Sequence, residues 1–170
     1  MRILLITFLF FYFSVSSALG QDDPVKLFHS HKFPCDTNGT TLDINMCSGI
    51  KFDFADSLLN VVYNKIIKAI EAEQREDKEK LKLEQSKNDT SVKSKEWIEF
   101  LKKEIDFNKR YKESIIKSQV EWIKLRDLNV NVVSIKSEGG TGYIAIENLS
   151  LIDETLERIK KLNSFYYTGK

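Results

Sequence analysis

The stretch Gln119-Val120-Glu121-Trp122-Ile123-Lys124-Leu125-Arg126-Asp127 decides how this chain is read. At helical spacing Gln119, Trp122, Ile123 and Arg126 share one face, while Glu121, Lys124 and Asp127 point away from it. A face that combines an indole, an amide and a guanidinium is not a plain apolar stripe. Left unpaired in a core, each such polar group costs about 1 to 3 kcal/mol, so another element must supply acceptors. Upstream, Asp56, Asn60 and Tyr63 share a face at i, i+4 and i+7. The two faces are expected to meet, with Arg126 against Asp56 as the natural charge pair. Losing one member of that pair costs several kcal/mol if the site is buried. Two readings of Asp56, Asn60, Gln119 and Arg126 stay open: an interhelical network that fixes register, or a cleft that receives a partner's side chain.

Working outward, the apolar positions Ile44, Cys47, Phe54, Leu58, Val61, Val62, Ile66 and Ile70 follow a helical rather than an alternating pattern. Thr40 with Asp43 three residues later supplies the start signal, although Asp is a weaker capping-box partner than Glu. From Glu71 to Lys87 the chain becomes almost wholly charged, and Glu71 with Arg75 and Glu76 with Lys80 are well-oriented pairs at i, i+4. A helix from Thr41 to Ser86 would be on the order of 65 Å long, too long for one side of a compact domain, so its far end is expected to project. Asn88 to Ser91 reads as a turn, and a second helix begins near Val92 to Lys95.

This second helix carries Trp97, Ile98, Leu101, Ile105 and Ile115 into the opening stretch and is expected to run back antiparallel to the first. Near the tip Leu81 and Leu83 can meet Trp97, Phe100 or Leu101, either as ordinary packing or as a docking point for a partner. The run Leu128 to Ile135 is rich in β-branched residues, but a lone strand has nothing to pair with, so the helix is extended through it. Gly139-Gly140-Thr141-Gly142 ends it. A third helix is predicted over Tyr143 to Leu162, with Ile146, Leu149, Ile152, Leu156 and Ile159 inward and Arg158, Lys160 and Lys161 suiting its C-terminal end. The expected fold is all-α: a long antiparallel helical hairpin plus a third C-terminal helix, with residues 71–110 as its projecting charged part.

Arg2, the apolar run Ile3 to Phe13 and the small residues of Ala18-Leu19-Gly20 form a secretion signal over residues 1–20, with Gln21 as the expected mature start. The competing reading is an uncleaved anchor, but the run of about a dozen residues is short of the roughly 20 that a spanning helix needs. No cysteine follows the cleavage site, so no lipid anchor is expected, and the location is periplasmic or secreted. Residues 21–40 are read as an extended lead-in with a loop, because Pro24 and Pro34 interrupt a segment without period. Residues 41–170 form the helical domain. In an oxidising compartment Cys35 and Cys47 default to one disulfide, and two thiolates without a second pair make a poor zinc site.

Removing Arg2 leaves 25 basic and 25 acidic side chains, which gives no net field to hold nucleic acid or an anionic membrane. No catalytic signature is present. No histidine follows His31, which removes Ser-His and Cys-His schemes from the core, and His-Glu-x-x-His, Gly-x-Ser-x-Gly and Walker patterns are absent. His29 and His31 have no third ligand in view, so no metal or other cofactor is expected. The glycine-rich turn lacks both a preceding strand and a following Lys-Ser/Thr, so it reads as a helix-to-helix connection rather than a phosphate cradle.

Cys35 through Cys47, then Ala55-Asp56, Leu59-Asn60 and Tyr63, then Gln119-x-x-Trp122 and Arg126-Asp127, a Gly-Gly-Thr turn, and Thr155 with Arg158 together resemble the LprI-type lysozyme inhibitor N-terminal domain family. That family consists of small secreted bacterial helical domains. The resemblance implies that Asn60, Tyr63, Gln119, Trp122, Arg126 and Asp127 are signature positions with an architectural role. It also marks two departures. A second cysteine pair common in the family is replaced by Val130 and Ser150, which predicts a looser third helix, and the segment from about Glu71 to Arg110 is longer than the family pattern requires. By resemblance the chain is a binding protein rather than an enzyme. Its expected partner is a lysozyme or related wall-degrading enzyme whose cleft it occludes. The alternative is an envelope structural or adaptor protein that binds a resident protein.

Overall fold

The computed structural model describes residues 23–168, so the expected secretion signal over residues 1–20 lies outside the described residues. Four α-helices follow one another: α1 (Pro24–Ser30), α2 (Thr41–Ser86), α3 (Val92–Ser134) and α4 (Tyr143–Thr168), with a 3-10 turn over Ile135–Ser137. No strand occurs among the described residues, and the β-branched run after Asp127 stays helical to Ser134. The fold is all-α, as expected.

The expected extended lead-in is corrected over residues 24–30. Pro24 starts α1 instead of breaking it, because a proline at the first helical position lacks only an N–H that would have no partner there. The Asp23 carboxylate accepts the Val25 N–H at 3.0 Å and caps the turn. Val25 and Phe28, three apart, are buried against the core, and the Phe28, Phe33 and Phe54 rings pack on one another with His31 stacked on Phe54 at 4.3 Å. His31 is thus part of an aromatic cluster.

The start of α2 is a complete capping box. Asp43 Oδ2 accepts from the Thr40 N–H at 2.8 Å and from the Thr40 hydroxyl at 2.7 Å, while the Asp43 N–H donates to Thr40 Oγ1 at 3.3 Å. Gly39 is needed beside it, since a Cβ there would stand 2.6 Å from the Asp43 carboxylate. Cys35 and Cys47 form the expected disulfide, with sulfurs 2.03 Å apart, and tie the loop to the second turn of α2.

At 46 residues, α2 is about 69 Å long at 1.5 Å rise per residue. It reverses at Lys87–Ser91, where Asn88 takes the left-handed conformation (φ 51°) just beyond the helix end, a position that tolerates Asn well. Ser91 then caps α3 through the Ser94 N–H. The antiparallel register is fixed by cross-links along the pair: Ser94 Oγ donates to Glu84 Oε1 (2.8 Å), Gln74 Nε2 to the Ile105 carbonyl (3.3 Å), and Lys112 pairs with Glu71 (3.3 Å).

α4 lies along the other half of this hairpin. Ala55, Leu58, Leu59, Val62, Ile66 and Ile70 of α2, Ile115 of α3 and Ile152, Leu156, Ile159 and Leu162 of α4 make one core. Asn45 on α2 seats the start of α4: its Nδ2 donates to the Thr141 carbonyl (3.2 Å) and its Oδ1 accepts the Ala145 N–H (3.1 Å). One side chain thereby supplies a partner for a first-turn amide that the helix itself leaves bare. α4 runs six residues past the predicted end at Leu162, which brings Phe165 and Tyr166 against the core. Ile146 and Leu149, read as inward, are exposed, and Ala145 and Thr155 take the buried positions instead.

Ile159 is fully buried, whereas Leu149 is 51% exposed. We expect Ile159→Ala to lower unfolding free energy by about 2 to 5 kcal/mol and Leu149→Ala to change it by less than about 0.5 kcal/mol, read from urea denaturation followed by circular dichroism.

Candidate functional site

The polar residues singled out from the sequence gather around Trp122, where α2, α3 and α4 come together. The two expected faces do meet at one point: Arg126 Nη1 stands 3.8 Å from Asp56 Oδ1. That contact is peripheral. Asp56 is 42% exposed in its side chain, and Arg126 makes its shorter bonds to its neighbour Asp127, with Nε and Nη2 each 3.0 Å from Oδ1. Asn60 stays on its own helix, exposed, donating to Asp56 Oδ2 at 3.0 Å. Tyr63 is half-buried and packs on the core beside it. Ile123, assigned to the same face as Trp122, is exposed.

Gln119 finds its partner on α4, not on α2. Its Oε1 accepts from Arg158 Nε at 2.9 Å, and the Ser118 hydroxyl accepts from Arg158 Nη2 at 3.0 Å. Arg158, assigned to the C-terminal charge complement of the last helix, is in fact buried, with only 6% of its surface exposed. No carboxylate pairs with it among the described residues, and burial pushes its pKa below the ordinary guanidinium range. The charge is solvated by an amide, a hydroxyl and the face of an indole. Two guanidinium groups approach the Trp122 ring, with Arg158 Cζ 5.5 Å and Arg126 Cζ 5.2 Å from its centroid. Arg126 also lies 5.9 Å from the Phe52 ring.

Thr155, one turn before Arg158, is fully buried, and its hydroxyl has no hydrogen-bond partner among the described residues. Asn129 on α3 donates to Glu154 Oε1 on α4 at 2.9 Å, and Asn148 on α4 donates to Ser48 Oγ on α2 at 3.0 Å. These two asparagines, with Asn45, hold α4 in place. A lone Asn carries no periodic signal in a helix, so only three-dimensional placement reveals them.

A cleft of about 410 Å3 opens where α4 ends against the hairpin, lined by Ile70, Glu73, Phe107, Asn108, Tyr111 and Phe165 among others. Tyr111 Oη donates to the Phe165 carbonyl at 2.7 Å, and burial raises the Tyr111 pKa above its ordinary value, with Tyr166 and Glu73 adding to the rise. Apart from Ile70, an apolar position of the α2 pattern, these cleft residues did not stand out in the sequence. Their signal is the 3-4 spacing of Phe107 and Tyr111 with Trp97 and Phe100, of which only the latter two drew a reading, as packing within the hairpin or as a docking point for a partner.

Among the described residues no cluster of three or more His, Cys, Asp or Glu is placed to hold a metal ion, and no helix is long and apolar enough to cross a membrane.

A family model described as Lysozyme inhibitor LprI matches residues 35–162, a span that begins at the first cysteine and holds the polar side chains around Trp122. The chain belongs to that family. No curated protein and no solved structure matches it.

Two measurements check the site's energetics. A double-mutant cycle on Asp56 and Arg126 should return a coupling of about 0 to 1 kcal/mol, as for exposed pairs. Removing the buried charge's partner with Gln119→Leu should destabilise by about 1 to 3 kcal/mol. For Tyr111, the raised pKa means that its contribution is complete below the ordinary tyrosine value and is lost as pH rises through the higher folded value. The stability gap between wild type and Tyr111→Phe should therefore narrow from pH 8 to pH 11, measured by urea titration.

Proposed function

We propose that this chain is an exported binding protein, not an enzyme, that inhibits a lysozyme or related wall-degrading enzyme by occluding its substrate cleft. The observation that carries this reading is the family match, which takes in both the Asp56–Arg126 contact and the Arg158–Gln119–Trp122 cluster. Inhibition needs no chemistry of its own, only a rigid surface of the right shape and charge. A bundle whose helices are cross-linked by Asn45, Asn148, Asn129 and Arg158 presents its faces with little ordering left to lose on binding. The signature side chains Asn60, Tyr63, Gln119, Trp122, Arg126, Asp127, Thr155 and Arg158 serve in this reading to hold the helices in register, and the contacts to the enzyme come from the surface around them.

The purified chain, added to a turbid suspension of bacterial cell walls at about micromolar concentration, should slow lysis by at least one of several lysozymes of different classes. Unchanged clearing with all of them would sink the reading. An adaptor of the envelope would instead retain a resident envelope protein from host extract with no lysozyme present.

A further inference from the structure

α4 serves as the third helix of the bundle only along the inner half of the hairpin. It reaches Tyr111 through the Phe165 carbonyl and has its last described turn there, while α3 continues from Phe107 back to Val92 for about another 22 Å. Among the described residues the track that α4 follows is left open over this length, and its two edges differ in character.

On α3 the edge is aromatic. Trp97, Phe100, Glu104, Phe107 and Tyr111 follow one another at spacings of three and four, so they share a face. Trp97 and Phe100 stack at 5.2 Å, Phe107 and Tyr111 at 5.8 Å, and Trp97, Phe100 and Phe107 are 44%, 47% and 49% exposed. On α2 the edge is acidic. Glu73 lines the cleft with Phe107, and Asp77, Lys80 and Glu84 continue from it at i+4, i+7 and i+11. Glu84 accepts from Ser94 of α3, which places this row beside the aromatic one. Counting Glu104, four carboxylates border the track, against three lysines: Lys93, at i−4 from Trp97 on the aromatic face, Lys80, bound to Glu76 and Asp77, and Lys87, bound to Glu84. At its inner end Asn108 is 7% exposed, lines the cleft, and makes no side-chain hydrogen bond to any described residue.

We infer that this open track is the docking groove for a basic segment of a protein partner, which lies along the hairpin in the position of a missing third helix. Apolar side chains of the segment fill the cleft beside Phe107, a polar group pairs with the Asn108 amide, and its Lys or Arg residues meet the acidic row and the aromatic faces. Cationic charge is what the carboxylates select, and ring faces attract the same cations. The partner is the enzyme of the inhibitor reading, so the identity of the occupant, though not the groove, rests on that reading. Another exposed apolar row, Leu125, Leu128, Val132 and Ile135, serves as the control surface.

The test uses a synthetic 18-residue amphipathic Lys/Leu helix as probe, with its Glu/Leu counterpart as control, titrated into the chain with tryptophan fluorescence as readout. Saturable binding of the basic helix alone is expected, with the signal change lost in Trp97→Phe and binding weakened more than about tenfold in Asp77→Lys combined with Glu104→Lys. Leu125→Ser with Leu128→Ser should leave it unchanged. All five groove and control positions lie on the hairpin and are at least partly exposed, and circular dichroism confirms the helix content of each variant. Absence of saturable binding, equal binding of the acidic helix, or indifference to the groove variants overturns the groove. The cell-wall assay separates the two ideas: a groove that binds the basic helix in a chain that never slows lysis sinks the inhibitor reading alone, whereas inhibition that survives Asp77→Lys with Glu104→Lys sinks the groove.

Discussion

Burying the Arg158 guanidinium without a carboxylate dictates how α3 and α4 can approach each other. A charge out of water must be solvated by something fixed, and here the Gln119 amide, the Ser118 hydroxyl and the Trp122 face supply that environment from one side of α3. All three sit within little more than one turn of a single helix, so sliding α4 by one turn would strand the charge. Apolar packing alone tolerates such slippage, since Ile152, Leu156 and Ile159 present similar surfaces to their neighbours. The cluster around Trp122 therefore sets register, and the core beneath it supplies most of the cohesion.

The opposite end of α4 is held by a different device. Asn45 spans the turn and a first-turn amide of α4, and Asn148 reaches Ser48 one turn further in. The Cys35–Cys47 bridge and the capping box at Thr40 stabilise the same few turns of α2. Helix starts, where amides lack partners, thus coincide with the covalent tie, and Phe28 of α1 packs further along α2, against Phe54. Beyond Ile70 the situation changes, since α2 and α3 have only each other and a ladder of charge pairs such as Glu76 with Lys80 and Asp106 with Arg110.

Helical periodicity and the length of the charged segment made the hairpin legible from the sequence, and the positions of Asp56 and Arg126 on facing helices followed from i, i+4 spacing. What spacing cannot convey is depth. Asp56 and Arg158 look equally polar in a helix, yet one faces solvent and the other is enclosed, because enclosure depends on which third helix lies over it. For the same reason Gln119 was matched to α2 when its partner lies on α4, and Ile146 and Leu149 were placed inside when the smaller Ala145 and Thr155 are there. α4 lies against α2 here, and a Cβ on Gly49 would stand in ordinary contact with the Asn148 amide, at 3.8 Å. Pro24 was misread for a simpler reason: a proline ends one helix as readily as it begins another, and the Asp23 cap decides which.

The charged hairpin meets the bundle only at its base, and this makes its length an independent variable. Removing seven residues from α2 and seven from the facing part of α3 takes away nearly two whole turns from each, which returns both faces to within about 20° of their original direction. A shortened chain of this kind would keep the disulfide, the Asn45 clamp and the guanidinium-flanked indole in their places. Reach, and with it the set of surfaces the molecule can span, is thus adjustable in discrete steps without redesigning the body that carries it.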